Sequence, residues 1–348
     1  MQAITVRPPT PNSVTLQDVP EPDHAEGDIL LQTLAIGICG TDVEIIRGDY
    51  GEPPPGDKFL ILGHESLARV LEAPPDSGFA AGDLAVAMVR HPDPVPCPNC
   101  AVGEWDMCRN GRYTEHGIKQ RHGFARERYR TTRDRLVKVD PKLGKLGVLL
   151  EPTSVVAKAW EHIERIGQRA RWQPTSVLVT GAGPIGLLAA LLGRQRGLAV
   201  DVVDIVTDGP KPQLVRDLGA DYHTGGVQSL QRTPQIALEC TGVAQLVFDI
   251  MRTTTPGGIV CLTGVSSGGW KMSIDFGMLN RSMVLENDVV FGSVNANRRH
   301  YEAAAEALAK ADPQWLSRLI TRRVPLAEWS QAYSRQSGDV KTILDFEH

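Results

Sequence analysis

Residues 177–186, Val-Leu-Val-Thr-Gly-Ala-Gly-Pro-Ile-Gly, restrict the fold more than any other stretch of the chain. A short apolar, β-branched run leads straight into Gly-x-Gly-x-x-Gly, and Leu187, Leu188, Leu191 and Leu192 follow at the spacing of one helical face. Strand, glycine turn and helix in that order make the phosphate cradle of a dinucleotide fold. Gly181 permits the tight turn, Gly183 lets the backbone approach a pyrophosphate without a Cβ in the way, and Gly186 lets the helix sit close on the strand. Pro184 and Ile185 open the helix whose N-terminal amides face the anion. The glycines alone would also suit a loop between core elements, but the flanking strand and helix select the cofactor reading.

A second strand over 199–204 ends in Asp204, about 20 residues past the glycines, where a carboxylate takes the ribose hydroxyls and repels a 2′-phosphate. This points to NAD over NADP. Asp201 becomes the strand-end acid if the boundary slips, and Lys211, beyond the loop at 207–210, is in reach of a phosphate.

With 348 residues the chain can bury two cores. A net charge of −4 and no arginine-rich patch argue against nucleic acid as a partner. No apolar run approaches a membrane span, and the N-terminus reads as a strand rather than a signal peptide, so a cytoplasmic location is expected. There, six cysteines are thiols or metal ligands rather than disulfides.

Residues 1–150 read as short strands, among them 29–35, 68–71 and 82–88, joined by Pro- and Gly-rich loops such as 52–57. From Thr153 the pattern changes to a helix followed by strands at 177–179, 200–203, 236–240, 259–262 and 289–292 that alternate with helices, which implies a parallel sheet. Helices at 299–311 and 326–333 and a strand at 341–346 then return to the first module. The expected architecture is α/β: a β-rich domain from 1–152 and 293–348, with a doubly wound dinucleotide domain from 153–292 inserted in it.

Two glycine-flanked turns in the first module carry metal chemistry. Residues 37–42 are Gly-Ile-Cys-Gly-Thr-Asp and residues 63–65 are Gly-His-Glu. Cys39, His64 and a carboxylate from Glu65 are what an open catalytic zinc site uses, with Glu151 at the domain junction as a further oxygen ligand. Separately, each has an ordinary role: a packed thiol, a core imidazole, or for Glu151 a carboxylate at a helix N-terminus. Thr41, two residues past the thiol, either accepts a substrate proton or bonds its own turn. Cys97, Cys100 and Cys108 have the spacing of a structural zinc loop but offer only three ligands; Asp93 and His91 are candidates for the fourth, and a metal-free lobe is the alternative.

Over essentially its whole length the chain resembles the zinc-dependent medium-chain dehydrogenase/reductase superfamily, and within it the glucose dehydrogenase group. The likeness rests on Cys-Gly-Thr-Asp at 39–42, Gly-His-Glu at 63–65, the cysteine lobe, the glycine turn and Glu-Cys-Thr-Gly at 239–242. It implies a GroES-like catalytic domain beside a Rossmann domain, Thr241, Gly264 and Asn295 at the cofactor, and homodimers or homotetramers. Glu44 stands where alcohol-oxidising relatives often keep a histidine, and Glu65 and Glu151 look like the acidic zinc shell of the sugar and polyol branch. The stretch 112–118 resembles the one that supplies a carboxylate, here Glu115, to sugar hydroxyls, with Glu151 and Asn295 beside it. The implied reaction is oxidation of a sugar hydroxyl, at C1 of an aldose such as D-glucose, to a lactone. A polyol or an amino alcohol such as threonine would use the same chemistry. Two departures stand out: Pro94 occupies the place of the lobe's first cysteine, and the loop after Asp204 lacks the paired arginines that receive a 2′-phosphate.

Overall fold

The structure, a computed structural model, describes residues 1–266, 268 and 271–347. The chain divides into two compact units, Met1–Ser154 with Asn295–His348, and Val155–Val294.

The first unit is organised by the strand Ile29–Ile38, whose aliphatic and β-branched residues suit a buried pleat. Glu65–Glu72 runs antiparallel along most of it, Arg128–Thr131 along its start and Lys341–Asp345 along its end. The sheet continues through Leu84–Ala87 to Leu136–Lys138 on one side and to Ile320–Pro325 on the other. Ile29, Leu31, Ile36, Val70, Phe124 and Leu344 are fully buried in its core. Each such side chain contributes about 1.5–3 kcal/mol, so the strand ends that carry Cys39 and His64 hang from the most firmly held part of the unit. A separate small sheet pairs Thr114–His116 with Arg90–His91 and with Gln120–Arg121.

The strand expected over 29–35 runs on to Ile38 because Lys341–Asp345 pairs with residues 35–38, a partner no local pattern announces. The one expected over 82–88 is cut to Leu84–Ala87, since Gly82 turns at φ +92°. The helix Gly40–Arg47 falls where the residue pattern reads as a turn. Its first turn is fastened by an unusual cap: Cys39 Sγ accepts the Thr41 N–H at 3.3 Å while Asp42 Oδ2 accepts the Cys39 N–H at 2.9 Å.

The second unit bears out the α/β expectation. Its six parallel strands lie in the order Asp221–His223, Ala199–Val203, Ser176–Thr180, Ile236–Glu239, Ile259–Leu262 and Val289–Gly292. Strand order reverses between Ser176–Thr180 and Ile236–Glu239, the switch point at which sheets of this kind bind ligands. Asp221–His223 escapes a reading by apolar runs because its three residues are polar or half-exposed. Among the described residues no helix is long and apolar enough to cross a membrane.

Gly181 adopts φ +88° and Gly183 caps the helix Pro184–Gln195. A Cβ on Gly186 would run into the carbonyl oxygen of Gly181, whereas one on Gly183 would enter open space. Close packing therefore requires the third glycine. Gly186→Ala should lose about 1–3 kcal/mol of stability, because the obstacle is backbone that must shift. A urea midpoint equal to that of the wild type would contradict this packing.

Candidate active site

Strand pairing assembles the first cluster. Gly37 lies opposite Glu65, and Lys341 begins the neighbouring strand. Cys39 Sγ comes to 3.1 Å from His64 Nε2, and with a Glu65 carboxylate oxygen the ligand atoms lie within 4.8 Å of one another. Behind the imidazole, Asp42 Oδ1 is 3.5 Å from His64 Nδ1, both groups being buried. That placement orients the ring with Nε2 towards the thiol.

The charges agree with a cation here. Burial works against a charged His64, yet the Cys39 thiol and the Asp42 carboxylate outweigh it and hold the imidazole well above its ordinary value. Burial likewise works to raise Asp42, but His64, the Cys39 N–H and Lys341 hold its carboxyl below the usual range. Surroundings that favour positive charge, together with a thiol, an imidazole and a carboxylate converging on one point, fit a zinc ion. Glu151, in the first turn of the helix Leu150–Gly167, lies outside the set of mutually close ligand atoms. Burial, and after it the Glu65 charge, pushes its carboxyl up to about 7. Thr41 is half-buried and gives its N–H to the thiol.

Lys341 is the member that residue patterns do not reveal. It is 1% exposed, donates from Nζ to the Ile38 carbonyl at 2.9 Å and pairs with Glu65 Oε2. A Cβ at Gly37 would strike that same carboxylate oxygen, so the glycine makes room for the pair.

A second polar group in this unit surrounds Glu115, which is 4% exposed. Its Oε1 accepts from Arg90 Nε at 3.0 Å and from Asn295 Nδ2 at 2.8 Å. Arg90 stacks 3.7 Å from the centre of the Tyr113 ring and donates from Nη1 to the Asp106 carbonyl at 3.1 Å. Buried Tyr301, its hydroxyl accepting the Val89 N–H at 3.3 Å, lies in the field of both Glu151 and Glu115. Neither Arg90 nor Tyr301 carries a signal in the sequence beyond its residue type.

In the second unit Asp204, rather than Asp201, adjoins the glycine turn. Asp204 Oδ2 accepts from the Ala182 N–H at 2.7 Å and from Lys211 Nζ at 3.1 Å, and Oδ1 from the Val206 N–H at 3.0 Å. Burial opposes ionisation of Asp204, but these donors hold its carboxyl below the usual range. Asp201 is instead spent on His223 at 2.8 Å and Arg232 at 2.7 Å. At the switch point, fully buried Glu239 gathers Thr180 Oγ1, both the N–H and hydroxyl of Thr241, and the Gly242 N–H. Its carbonyl accepts the Gly264 N–H at 3.0 Å, so one residue fixes both Thr241 and Gly264.

Residues 144–346 match the family described as "Glucose dehydrogenase C-terminus", and residues 25–141 match "Alcohol dehydrogenase GroES-like domain". The chain is 41% identical to glucose 1-dehydrogenase 1 of Caldivirga maquilingensis and 39% identical to glucose 1-dehydrogenase of Thermoproteus tenax, with 99% of each chain covered. Among solved structures, Haloferax mediterranei glucose dehydrogenase in complex with NADP, Zn and gluconolactone superposes with a TM-score of 0.92 at 31% identity, covering 100% of both chains.

Two substitutions test the geometry of the first cluster. Asp42→Asn, which removes the charge behind His64, should lower zinc affinity about 10–100-fold in a chelator competition. Lys341→Met leaves Glu65 buried without its cation and should cost about 3–5 kcal/mol in urea denaturation, while Lys341→Arg recovers most of it. Equal stability of the Met and Arg variants would mean that the pair is not what holds Glu65.

Proposed function

The chain belongs to the glucose dehydrogenase group of the zinc-dependent medium-chain dehydrogenases, and from that membership we propose that it oxidises the C1 hydroxyl of an aldose such as D-glucose to the lactone, with NAD(P) accepting the hydride. The observation that carries this reading is the convergence of Cys39, His64 and Glu65, with Asp42 behind the imidazole. Cys39, His64 and a glutamate, Glu65 or Glu151, would hold zinc, whose Lewis acidity makes a hydroxyl easier to deprotonate. The Thr41 hydroxyl is the candidate acceptor for the departing proton. Gly181, Gly183, Pro184, Ile185 and Gly186 cradle the cofactor pyrophosphate at the helix N-terminus, and Glu239 sets Thr241 and Gly264 at its side.

Specificity follows from buried polarity. Arg90 and Asn295 fix one oxygen of Glu115, and its carboxylate is the group this reading assigns to sugar hydroxyls. A site that buries such a group penalises a substrate without the matching hydroxyls far more than an apolar pocket does. Initial rates should therefore favour D-glucose over a simple aliphatic alcohol by roughly 10⁴-fold in kcat/KM. Comparable turnover of the two would overturn the reading, and a polyol or threonine ahead of glucose would move it to the neighbouring branch. Glu115→Gln should reduce kcat/KM for glucose by about 10²-fold, mostly through KM, with zinc content unchanged.

NAD is the preferred acceptor in this reading, because a carboxylate at the end of the second strand, here Asp204, repels a 2′-phosphate. Lys211, paired with Asp204, offsets part of that repulsion. Wild-type kcat/KM should favour NAD, and Asp204→Asn should shift the ratio towards NADP; a wild type that already favours NADP would assign Lys211 to the phosphate instead. Association into a homodimer or homotetramer is part of the same proposal. Val289–Gly292 is an edge strand, and Phe276, Val284 and Leu285 of the preceding helix Phe276–Glu286 are each about two-thirds exposed.

A further inference from the structure

The lobe between Arg90 and Tyr113 brings three sulfurs together without a fourth ligand. Cys97, Cys100 and Cys108 place their Sγ atoms within 4.8 Å of one another, with Cys97 and Cys100 3.6 Å apart. Two thiolates on one tetrahedral zinc, at bonds of about 2.3 Å, stand about 3.8 Å apart, so the spacing already suits a shared ion. The Cys97 sulfur also accepts the Cys100 N–H at 3.5 Å and the Arg109 N–H at 3.4 Å. Backbone donors of that kind favour a thiolate over a thiol.

Both sequence candidates for the fourth ligand are committed elsewhere. Asp93 Oδ1 accepts the Val95 N–H at 2.9 Å and its Oδ2 accepts Asn110 Nδ2 at 2.8 Å. His91 Nε2 faces His116 Nε2 at 3.1 Å. Pro94 cannot ligate at all. Among the described residues, no other side chain joins the three sulfurs as a ligand. A closed four-ligand structural zinc site, the kind a complete cysteine set would make, is therefore not what these residues build.

We infer that the lobe is an exchangeable three-thiolate site for a soft d¹⁰ cation, whose fourth corner is left to a ligand from solution. Thiolates select such ions, zinc, cadmium and copper(I) among them. Copper(I) is content with three sulfurs, whereas zinc completes a tetrahedron with water or a small thiol, through which an incoming ligand can reach it. Cys97 and Cys100 are buried and Cys108 is half-buried, so Cys108 is the member of the three nearest to solvent.

Metal exchange on the intact protein tests this without reference to turnover. Zinc-loaded wild type, challenged with 4-(2-pyridylazo)resorcinol, should release the lobe zinc as readily as the zinc of the Cys39 site, which also keeps a position open. The lobe fraction should vanish in Cys108→Ser and persist in Cys39→Ser. Cadmium added to Cys39→Ser should give a thiolate-to-metal charge-transfer band that shifts when a small thiol is added. Three results would overturn the inference: a lobe zinc that resists the chelator as a closed site does, no lobe metal of either kind, or a Cys97–Cys100 disulfide in the isolated protein.

Discussion

Asp42, His64, Glu65, Glu151 and Lys341 are all buried within reach of one another, and the first unit must keep that much charge out of water. Such groups persist inside a protein only when each has a partner, because a single uncompensated charge costs several kcal/mol. Here compensation is layered. Lys341 answers Glu65, Asp42 and the Cys39 thiol answer His64, and Asp42 takes the Cys39 amide with its second oxygen. Asp42 and Glu65 balance His64 and Lys341, whereas Glu151, its carboxyl pushed up by burial and by the Glu65 charge, has no cation of its own, a deficit that a divalent ion relieves. The sheet around Ile29–Ile38 holds these groups in place against the tendency of each to turn outward.

The dinucleotide unit solves a related problem with dipoles rather than charges. Hydroxyls and backbone amides surround the Glu239 carboxylate. Thr180 ends the adjacent strand while Thr241 and Gly242 follow Glu239 in its own loop, so the carboxylate ties that loop to the neighbouring strand end. Asp204 does the same at the glycine turn through the Ala182 and Val206 amides. Rigid loops at a switch point reduce the ordering that binding would require.

Much of the fold is legible in the sequence because its signals are local. Strand, glycines and helix at 177–186 stand side by side, and the later strands announce themselves by short apolar runs. Cys39 and His64 are legible as well, through the glycines around them. What escapes is non-local or disguised. The helix Gly40–Arg47 hides because its cap is a cysteine, a residue outside the usual capping set. Lys341 looks like any lysine at the start of a strand, and only pairing across the sheet shows that its ammonium is buried. Glu239 sits in an apolar run where a carboxylate looks like the end of a strand. Arg90 reads as surface until Tyr113 and Glu115 enclose it. Asp93 and His91 are reasonable ligand candidates by proximity in sequence, but neither joins the three sulfurs in the group of mutually close ligand atoms.

The strand Lys341–Asp345 lies inside its sheet, between Ile29–Ile38 and Ile320–Pro325, although Lys341 is translated 303 residues after Ile38. While the ribosome is making the intervening chain, residues 35–38 present bare amides and carbonyls along an apolar strand. An edge of that kind invites pairing with another nascent chain. Closing that edge and bringing the Lys341 ammonium to Glu65 are thus one late event, and until residues 341–345 are made the edge stays open to mispairing.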